Sequence, residues 1–278
     1  MEDLLFIMAT LAAVLLASAA VAVLLLVRRR IAIGRKAGSL AAAGLTRFDH
    51  DAQPGVARAA RISPRLCPVC RLPFERFDAF GSPGISAERP DARCPNCRSL
   101  ERHRLAWLYL LNETDLFDAY QDTAVLHLCV ERIVYLKLKE EGEPALLVHQ
   151  AGYETAGEAS PSGTLDHPSA TFDVVYCSYV LQLVADDRLA MRELRRVLKP
   201  TGWALVQAPV VRERTEELAA TRAGNGAPRR SYGPDIVERL TEAGLRVEVG
   251  DYFNKLGIER ATRYGLMETE SVYYCTPL

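Results

Sequence analysis

The sequence has almost no surplus charge: 34 Lys and Arg stand against 35 Asp and Glu across 278 residues, a net of -1. A phosphate-collecting surface needs a basic excess, so nothing here points to nucleic acid, and no aromatic platform for stacked bases accompanies it. No internal repeat is visible, which argues against a solenoid or other repeat array. Charge is missing altogether between Leu4 and Val27, a run rich in Leu, Val and Ala. As a helix that run would be roughly 36 Å long, enough to cross a bilayer with some tilt. The basic start of a cleaved signal peptide is also missing, since Glu2 and Asp3 come first. Arg28, Arg29, Arg30, Arg35 and Lys36 follow the run. The positive-inside tendency then predicts a single-pass membrane protein whose soluble part faces the cytoplasm, with the lipid bilayer as one partner.

What is present divides the chain into four parts. Residues 4–27 form the expected transmembrane helix, and 28–64 a basic juxtamembrane segment and linker of weak periodicity. Residues 65–111 hold a four-cysteine module and a helix, and 112–278 are long enough for one α/β domain. In the third part, Cys67-Pro-Val-Cys70 and Cys94-Pro-Asn-Cys97 are two C-x-x-C pairs. Each short spacing lets two thiolates reach one tetrahedral ion, so Cys67, Cys70, Cys94 and Cys97 are the candidate ligands of a structural Zn2+. With four sulfurs no coordination position is left for a reactive water. Disulfides are the alternative if the membrane topology were reversed. Phe74, Phe77 and Phe80 are candidates for the small core of the module. Ser99 is the expected cap of the next helix, with Leu100, Leu105, Trp107, Leu108 and Leu111 as its packed face.

The fourth part alternates strands and helices. Val174, Val175 and Tyr176 suit a strand covered on both faces, with Cys177 and Ser178 at its carboxyl end. Leu189, Ala190, Leu194, Val197 and Leu198 recur at helical spacing after Asp186 or Asp187, either of which can cap the helix. Pro200-Thr-Gly202 then supplies turn chemistry before the strand Trp203 to Val206. Thr123 to Cys129 and Pro144 to His149 read as two earlier strands, with a helix from Arg132 to Glu141 between them. A helix from Pro234 to Ala243 and strands over Leu245 to Val249 and Ser271 to Cys275 finish the domain.

The string Arg192-Glu-Leu-Arg-Arg-Val-Leu-Lys-Pro-Thr-Gly-Trp203, behind the strand beginning Phe172-Asp173, resembles class I S-adenosylmethionine-dependent methyltransferases of the type 11 group. The two C-x-x-C pairs followed by Ser99-Leu-Glu-Arg-His-Arg104 resemble a subgroup with an amino-terminal zinc module and a "GSLERHR" string. The resemblance implies a Rossmann-like, seven-stranded α/β sheet preceded by a zinc-ribbon-like module. It implies S-adenosylmethionine as cofactor, bound at the carboxyl edge of the strands. The implied cofactor positions are His127, Cys129, Glu131, Gln150, Cys177 and Ser178.

Several of these positions depart from the family pattern. The glycine-rich loop is absent, and where the subgroup has His-apolar-Ala-Pro-Glu this chain keeps His127 and Glu131 around Cys129 and Val130. Glu131 either accepts a hydrogen bond from the cofactor or is a solvated helix-start carboxylate. Gln150 stands where a carboxylate usually holds the ribose hydroxyls, and Glu158 or Asp166 is available near the adenine. The subgroup's "CSHVLEH" is here Cys177-Ser-Tyr-Val-Leu-Gln-Leu183, which leaves Tyr179 and His127 as candidate bases. His103 is assigned to the helix surface or to packing, because four cysteines already complete a zinc shell. Ala223 to Tyr232 is expected to be a lid or substrate loop. The reading is a membrane-anchored methyltransferase whose acceptor is a lipid, a glycan precursor or a protein. The alternative is a methyltransferase-like scaffold without catalysis.

Overall fold

The computed structural model describes residues 64–82, 86–118, 123–129, 132–142, 146–150, 164–218 and 228–278. The expected membrane segment 4–27, nearly all of the 28–64 linker, Val130, Glu131 and Glu158 lie outside that set. No helix among the described residues is long and apolar enough to cross a membrane.

The amino-terminal part consists of short antiparallel pairs: β1 (Arg65–Leu66) with β2 (Pro73–Phe74), and β3 (Asp78–Ser82) with β4 (Ser86–Arg93). Helix α1 (Glu101–Glu113) follows, then β5 (Thr123–Cys129), α2 (Ile133–Gly142), β6 (Leu146–Gln150), β7 (Phe172–Ser178), α3 (Asp187–Val197) and β8 (Leu198–Gln207). The short pair β9 (Glu216–Glu217) and β10 (Arg230–Ser231) precedes α4 (Ile236–Glu242) and β11 (Leu245–Gly250). Two short helices, α5 (Tyr252–Leu256) and α6 (Ile258–Arg263), lead to β12 (Val272–Pro277).

Strands β11, β12, β8, β7, β5 and β6 form one sheet in that order. Strands β8, β7, β5 and β6 are parallel to one another, and β12 is antiparallel to both β8 and β11. Six strands are therefore present among the described residues where seven were expected. The strand that would extend the sheet beyond β6 is not found among them.

Strand alternation splits the interior into two cores. Val125, Val174, Tyr176, Trp203, Leu205 and Val272 face α1, α2 and the short helices α5 and α6. Leu126, Val175, Cys177, Ala204, Val206 and Cys275 face α3 and α4. The first core also takes in Leu66, Cys67, Val69, Phe77 and Cys94, so the cysteine module packs on the same interior as the sheet. Helix α1 lies between them and is buried almost all round, including Arg102, His103 and Arg104 as well as the expected Leu105, Trp107, Leu108 and Leu111. Each of its fully buried leucines contributes about 1.5–3 kcal/mol of apolar burial.

Two local expectations are corrected. Ser99 does not cap α1; Leu100 is the N-cap residue, and its backbone N–H donates to His103 Nδ1 at 3.0 Å. His103 thus satisfies one of the amides that a helix start leaves unpaired. Pro200-Thr-Gly202 is not a turn before the strand but part of it. Phe172 pairs with Leu198 while Val174 pairs with Trp203, so the intervening residues bulge out of register. A Cβ on Gly202 would lie 2.7 Å from the Asp173 carbonyl oxygen, which is why only glycine fits the bulge. The predicted cap at Asp186 is observed, with its carboxylate accepting from Leu189 N at 2.9 Å.

The end of the supposed lid is anchored. Arg230 is buried and donates to the carbonyls of Leu181, Val184 and Ala185 at 2.7, 2.8 and 2.9 Å. Tyr232 is buried and donates to Asp187 at 2.8 Å, and Arg239 reaches the same carboxylate oxygen at 3.0 Å. Residues 223–227 of that stretch lie outside the described residues. Arg230→Met should cost about 3 kcal/mol, because it strands three carbonyls under a buried segment. Chemical denaturation measures this, and a loss below about 1 kcal/mol would show that the segment is not held by its guanidinium.

Candidate active site and metal centre

The carboxyl ends of β5, β7 and β8 meet in register. His127 pairs with Tyr176 and with Gln150, and Cys129 pairs with Ser178, which in turn pairs with Gln207. On the α1 side of this edge the side chains are polar. Tyr176 and Ser178 both donate to Gln207 Oε1 at 3.1 Å, and Gln207 Nε2 donates to the Arg102 carbonyl at 3.2 Å. Gln207 is fully buried and was not singled out from the sequence; a Gln ending an apolar strand is the only sequence signal for it.

The predicted cofactor residues are only partly brought together. Cys129 and Ser178 stand side by side at the tips of β5 and β7. His127 is fully buried one step below, with its ring between those of Tyr135 and Tyr176 at centroid distances of 5.6 and 5.3 Å. Cys177 points to the opposite core, and burial pushes its thiol well above the ordinary value. Gln150 closes β6 beside His127 by backbone register. Glu131 lies outside the described residues, and Asp166 is exposed.

Tyr179 is the first residue beyond β7 and has φ 56, a left-handed conformation that few side chains adopt. Its amide donates to the Gln207 carbonyl at 2.9 Å, and its hydroxyl donates to Glu270 Oε1 at 2.6 Å. The Arg102 guanidinium lies 4.3 Å from its ring centre. Burial, and then the Glu270 carboxylate, push the phenol far above its ordinary value. The hydroxyl is thus held as a donor, which counts against Tyr179 as a base. Gln182 donates to the Tyr179 carbonyl at 2.9 Å and braces the same turn.

Glu270 escaped the sequence reading because it precedes the last strand. Since β12 runs antiparallel to β8, its amino-terminal end lies at the carboxyl edge of the parallel strands. Burial pushes the Glu270 carboxyl above its usual range, against the opposing pull of the Tyr179 hydroxyl and Arg102. A raised folded-state pKa contributes stability that is present below the unfolded pKa and lost as pH rises through the folded one. Glu270→Gln keeps an acceptor oxygen for Tyr179. It should match the wild type near pH 4 and become the more stable protein toward pH 8. Thermal midpoints across that range measure the difference, and a gap independent of pH would contradict the shift.

Behind this edge the four cysteines converge. Their sulfurs all lie within 4.8 Å of one another, with Cys67 to Cys97 at 3.6 Å and Cys70 to Cys94 at 3.7 Å. A disulfide needs about 2.05 Å. A tetrahedron with metal–sulfur bonds of about 2.3 Å has edges near 3.8 Å. The two pairs are built alike. Arg71 N donates to Cys67 O and Cys67 N to Leu72 O, while Arg98 N donates to Cys94 O and Cys94 N to Ser99 O. Arg71 and Arg98 have φ 61 and 64, so each Cys-Pro-x-Cys-Arg segment is a tight knuckle that turns two sulfurs inward. Ser99 Oγ sits 3.3 Å from Cys67 Sγ and 3.2 Å from Cys97 Sγ. Burial pushes Cys67 up, whereas hydrogen bonds from Cys67 and Cys94 bring Cys70 down to about 6. The donor set and its spacing fit a tetrahedral thiophilic cation. Of the three phenylalanines, Phe77 is buried, whereas Phe74 and Phe80 are only partly so.

A Rossmann-like sheet of this strand order places a candidate ligand site at the carboxyl ends of its parallel strands, where the polar edge lies. Residues 118–206 match the model of the methyltransferase domain family. Three solved structures are similar to this chain. The 1,6-didemethyltoxoflavin-N1-methyltransferase of Burkholderia thailandensis, with bound 1,6-didemethyltoxoflavin and S-adenosylhomocysteine, is 17% identical over 56% of this chain and 71% of that one, with a TM-score of 0.39. An S-adenosylmethionine-dependent methyltransferase of Mesorhizobium loti is 13% identical over 62% and 97%, with a TM-score of 0.38. One from Aquifex aeolicus is 15% identical over 64% and 99%, with a TM-score of 0.37. The sequence matches no curated protein.

Proposed function

We propose that this protein is a membrane-anchored, S-adenosylmethionine-dependent methyltransferase with a structural zinc centre. The observation that carries the transferase reading is the methyltransferase-domain match over 118–206, which ends at the strand whose last residue, Gln207, organises the polar edge. The cofactor would lie across the tips of β5, β6 and β7, against Cys129, Ser178, Gln150 and Glu131. The bound cofactor supplies an electrophilic methyl on a sulfonium. Transfer to O, N or C then asks the chain chiefly for positioning. Where the acceptor must lose a proton, Glu270 is better suited than Tyr179. Its carboxyl has been pushed up by burial, whereas the phenol, pushed far above its ordinary value, keeps its proton and so offers no base form. Zinc would be held by Cys67, Cys70, Cys94 and Cys97 and would serve folding, since four thiolates leave no open position.

The anchor at 4–27 would hold the domain at the cytoplasmic side of a bilayer, close to a lipid, a glycan precursor or a membrane protein as acceptor. The scaffold alternative draws its support from the same edge, where Tyr179 and Leu183 replace the subgroup's histidines and Gln182 its glutamate. Calorimetric titration of the zinc-loaded full chain in detergent with S-adenosylhomocysteine separates the two. Micromolar binding, weakened at least about tenfold by Glu131→Ala, supports the transferase. A folded, zinc-containing protein that binds neither S-adenosylhomocysteine nor S-adenosylmethionine would be the scaffold.

A further inference from the structure

The metal knuckle and the polar strand edge are joined by a very short path. Ser99 follows the second cysteine pair directly: its carbonyl accepts from Cys94 N at 2.9 Å, and its hydroxyl touches the sulfurs of Cys67 and Cys97. Leu100 starts α1, and Arg102 lies in its first turn. The Arg102 carbonyl receives Gln207 Nε2, and its guanidinium covers the Tyr179 ring. Gln207 in turn holds the hydroxyls of Tyr176 and Ser178, and its own carbonyl accepts the Tyr179 amide. Arg104, one turn into the helix, donates to the Ser99 carbonyl at 2.7 Å and so ties the helix back to the knuckle.

We propose that the Cys94–Cys97 knuckle is the positioning device of the active edge: the metal-held loop fixes the first turn of α1, and Arg102 in that turn fixes Gln207 and Tyr179 at the tips of β8 and β7. Arg102 and Gln207 are then positioning residues. A helix start whose first turn is clamped on one side by a metal loop and on the other by a strand tip transmits order between them, because both ends bias the same short segment. The inference rests on the methyltransferase reading in one respect, that the ordered edge is where the cofactor binds. Linkage makes the consequence reciprocal: whatever factor zinc adds to cofactor affinity, the cofactor adds to zinc affinity.

The test measures the zinc affinity of the full-length protein by competition with a fluorescent chelator, with and without saturating S-adenosylhomocysteine. The ligand should raise zinc affinity about fivefold or more in the wild type. Gln207→Leu should bring that factor close to one while still binding one zinc per chain. Gln207→Leu strands two hydroxyls, so the triple variant Tyr176→Phe, Ser178→Ala, Gln207→Leu serves as the second probe. It removes the whole polar group together and should fold while lacking the coupling. If the wild type binds both ligands with no coupling, or if both variants keep the full factor, the proposal is overturned. If S-adenosylhomocysteine does not bind at all, the methyltransferase reading fails and the tether is judged by amide exchange. Residues 100–103 should exchange faster in the zinc-loaded triple variant than in the wild type, and unchanged exchange overturns the tether on its own.

Discussion

Cys94→Ser is expected to leave the chain without zinc and with its amino-terminal module unfolded. The sulfurs of Cys67, Cys70, Cys94 and Cys97 are the only four-ligand cluster among the described residues, and Cys67 and Cys94 belong to the core that also packs against α1. The module itself has little else: the two-residue strands β1 and β2, the β3–β4 pair, one buried phenylalanine and two knuckles. A structural site of four thiolates contributes on the order of 10–16 kcal/mol at neutral pH, comparable with the whole stability of an ordinary domain. Elemental analysis should find one zinc per chain in the wild type and none in the variant. The thermal midpoint should fall by more than about 15 °C, given the 2–4 °C per kcal/mol typical of this size. The same loss should follow chelation of the wild type. A metal-free variant that melts with the wild type would show that the cysteines are not a folding centre.

The second large effect is expected at Arg104, a charged residue that is fully buried in the middle of the molecule. Its guanidinium donates to the carbonyls of Tyr264, Ser99, Ala92 and Gly265 at 2.7, 2.7, 3.0 and 2.6 Å and lies 4.3 Å over the Phe77 ring. One side chain thus joins β4, the second knuckle and the end of α6. Burial lowers its pKa, while neighbouring Cys67 and Glu101 oppose that shift. Gly265, at φ 61, belongs to the same arrangement, since a Cβ there would lie 2.6 Å from the Phe77 ring. Arg104→Met fills most of the volume but strands four acceptors, at a cost of about 4 kcal/mol or more. Arg104→Lys should recover less than half, because a point charge cannot reach four carbonyls placed around a planar fork. Denaturant midpoints measure both variants. A lysine variant with wild-type stability would mean that charge alone, not the fork, is what the site uses.

These two positions show how unevenly the sequence disclosed the molecule. The cysteine cluster was legible because ligand spacing within a C-x-x-C pair is a local property: each pair presents two sulfurs from one tight turn, and two such pairs point to one shared ion. Arg104 was visible only as one basic residue in a helix that carries several. Its four carbonyl partners come from segments up to about 160 positions away, and no local pattern announces them. Glu270 is a similar case. Its place at the polar edge follows from the antiparallel direction of β12, which pairing decides and composition does not.

Taken alone, the sequence determined the strand-helix-strand alternation, the cap at Asp186, the knuckle spacing and the family of the domain. All of these depend on residues within a few positions of one another, where periodicity, turn chemistry and short motifs act. The tertiary structure decided that Pro200-Thr-Gly202 is a bulge within β8 and that Ser99 serves the sulfurs instead of capping α1. It also decided that Arg230 and Tyr232 anchor a segment that reads as a lid, and that the Tyr179 hydroxyl donates a hydrogen bond to Glu270. Each of these is settled by a partner distant in the chain. A buried polar group has to find its hydrogen bond wherever packing brings an acceptor, and only the assembled fold says where that is.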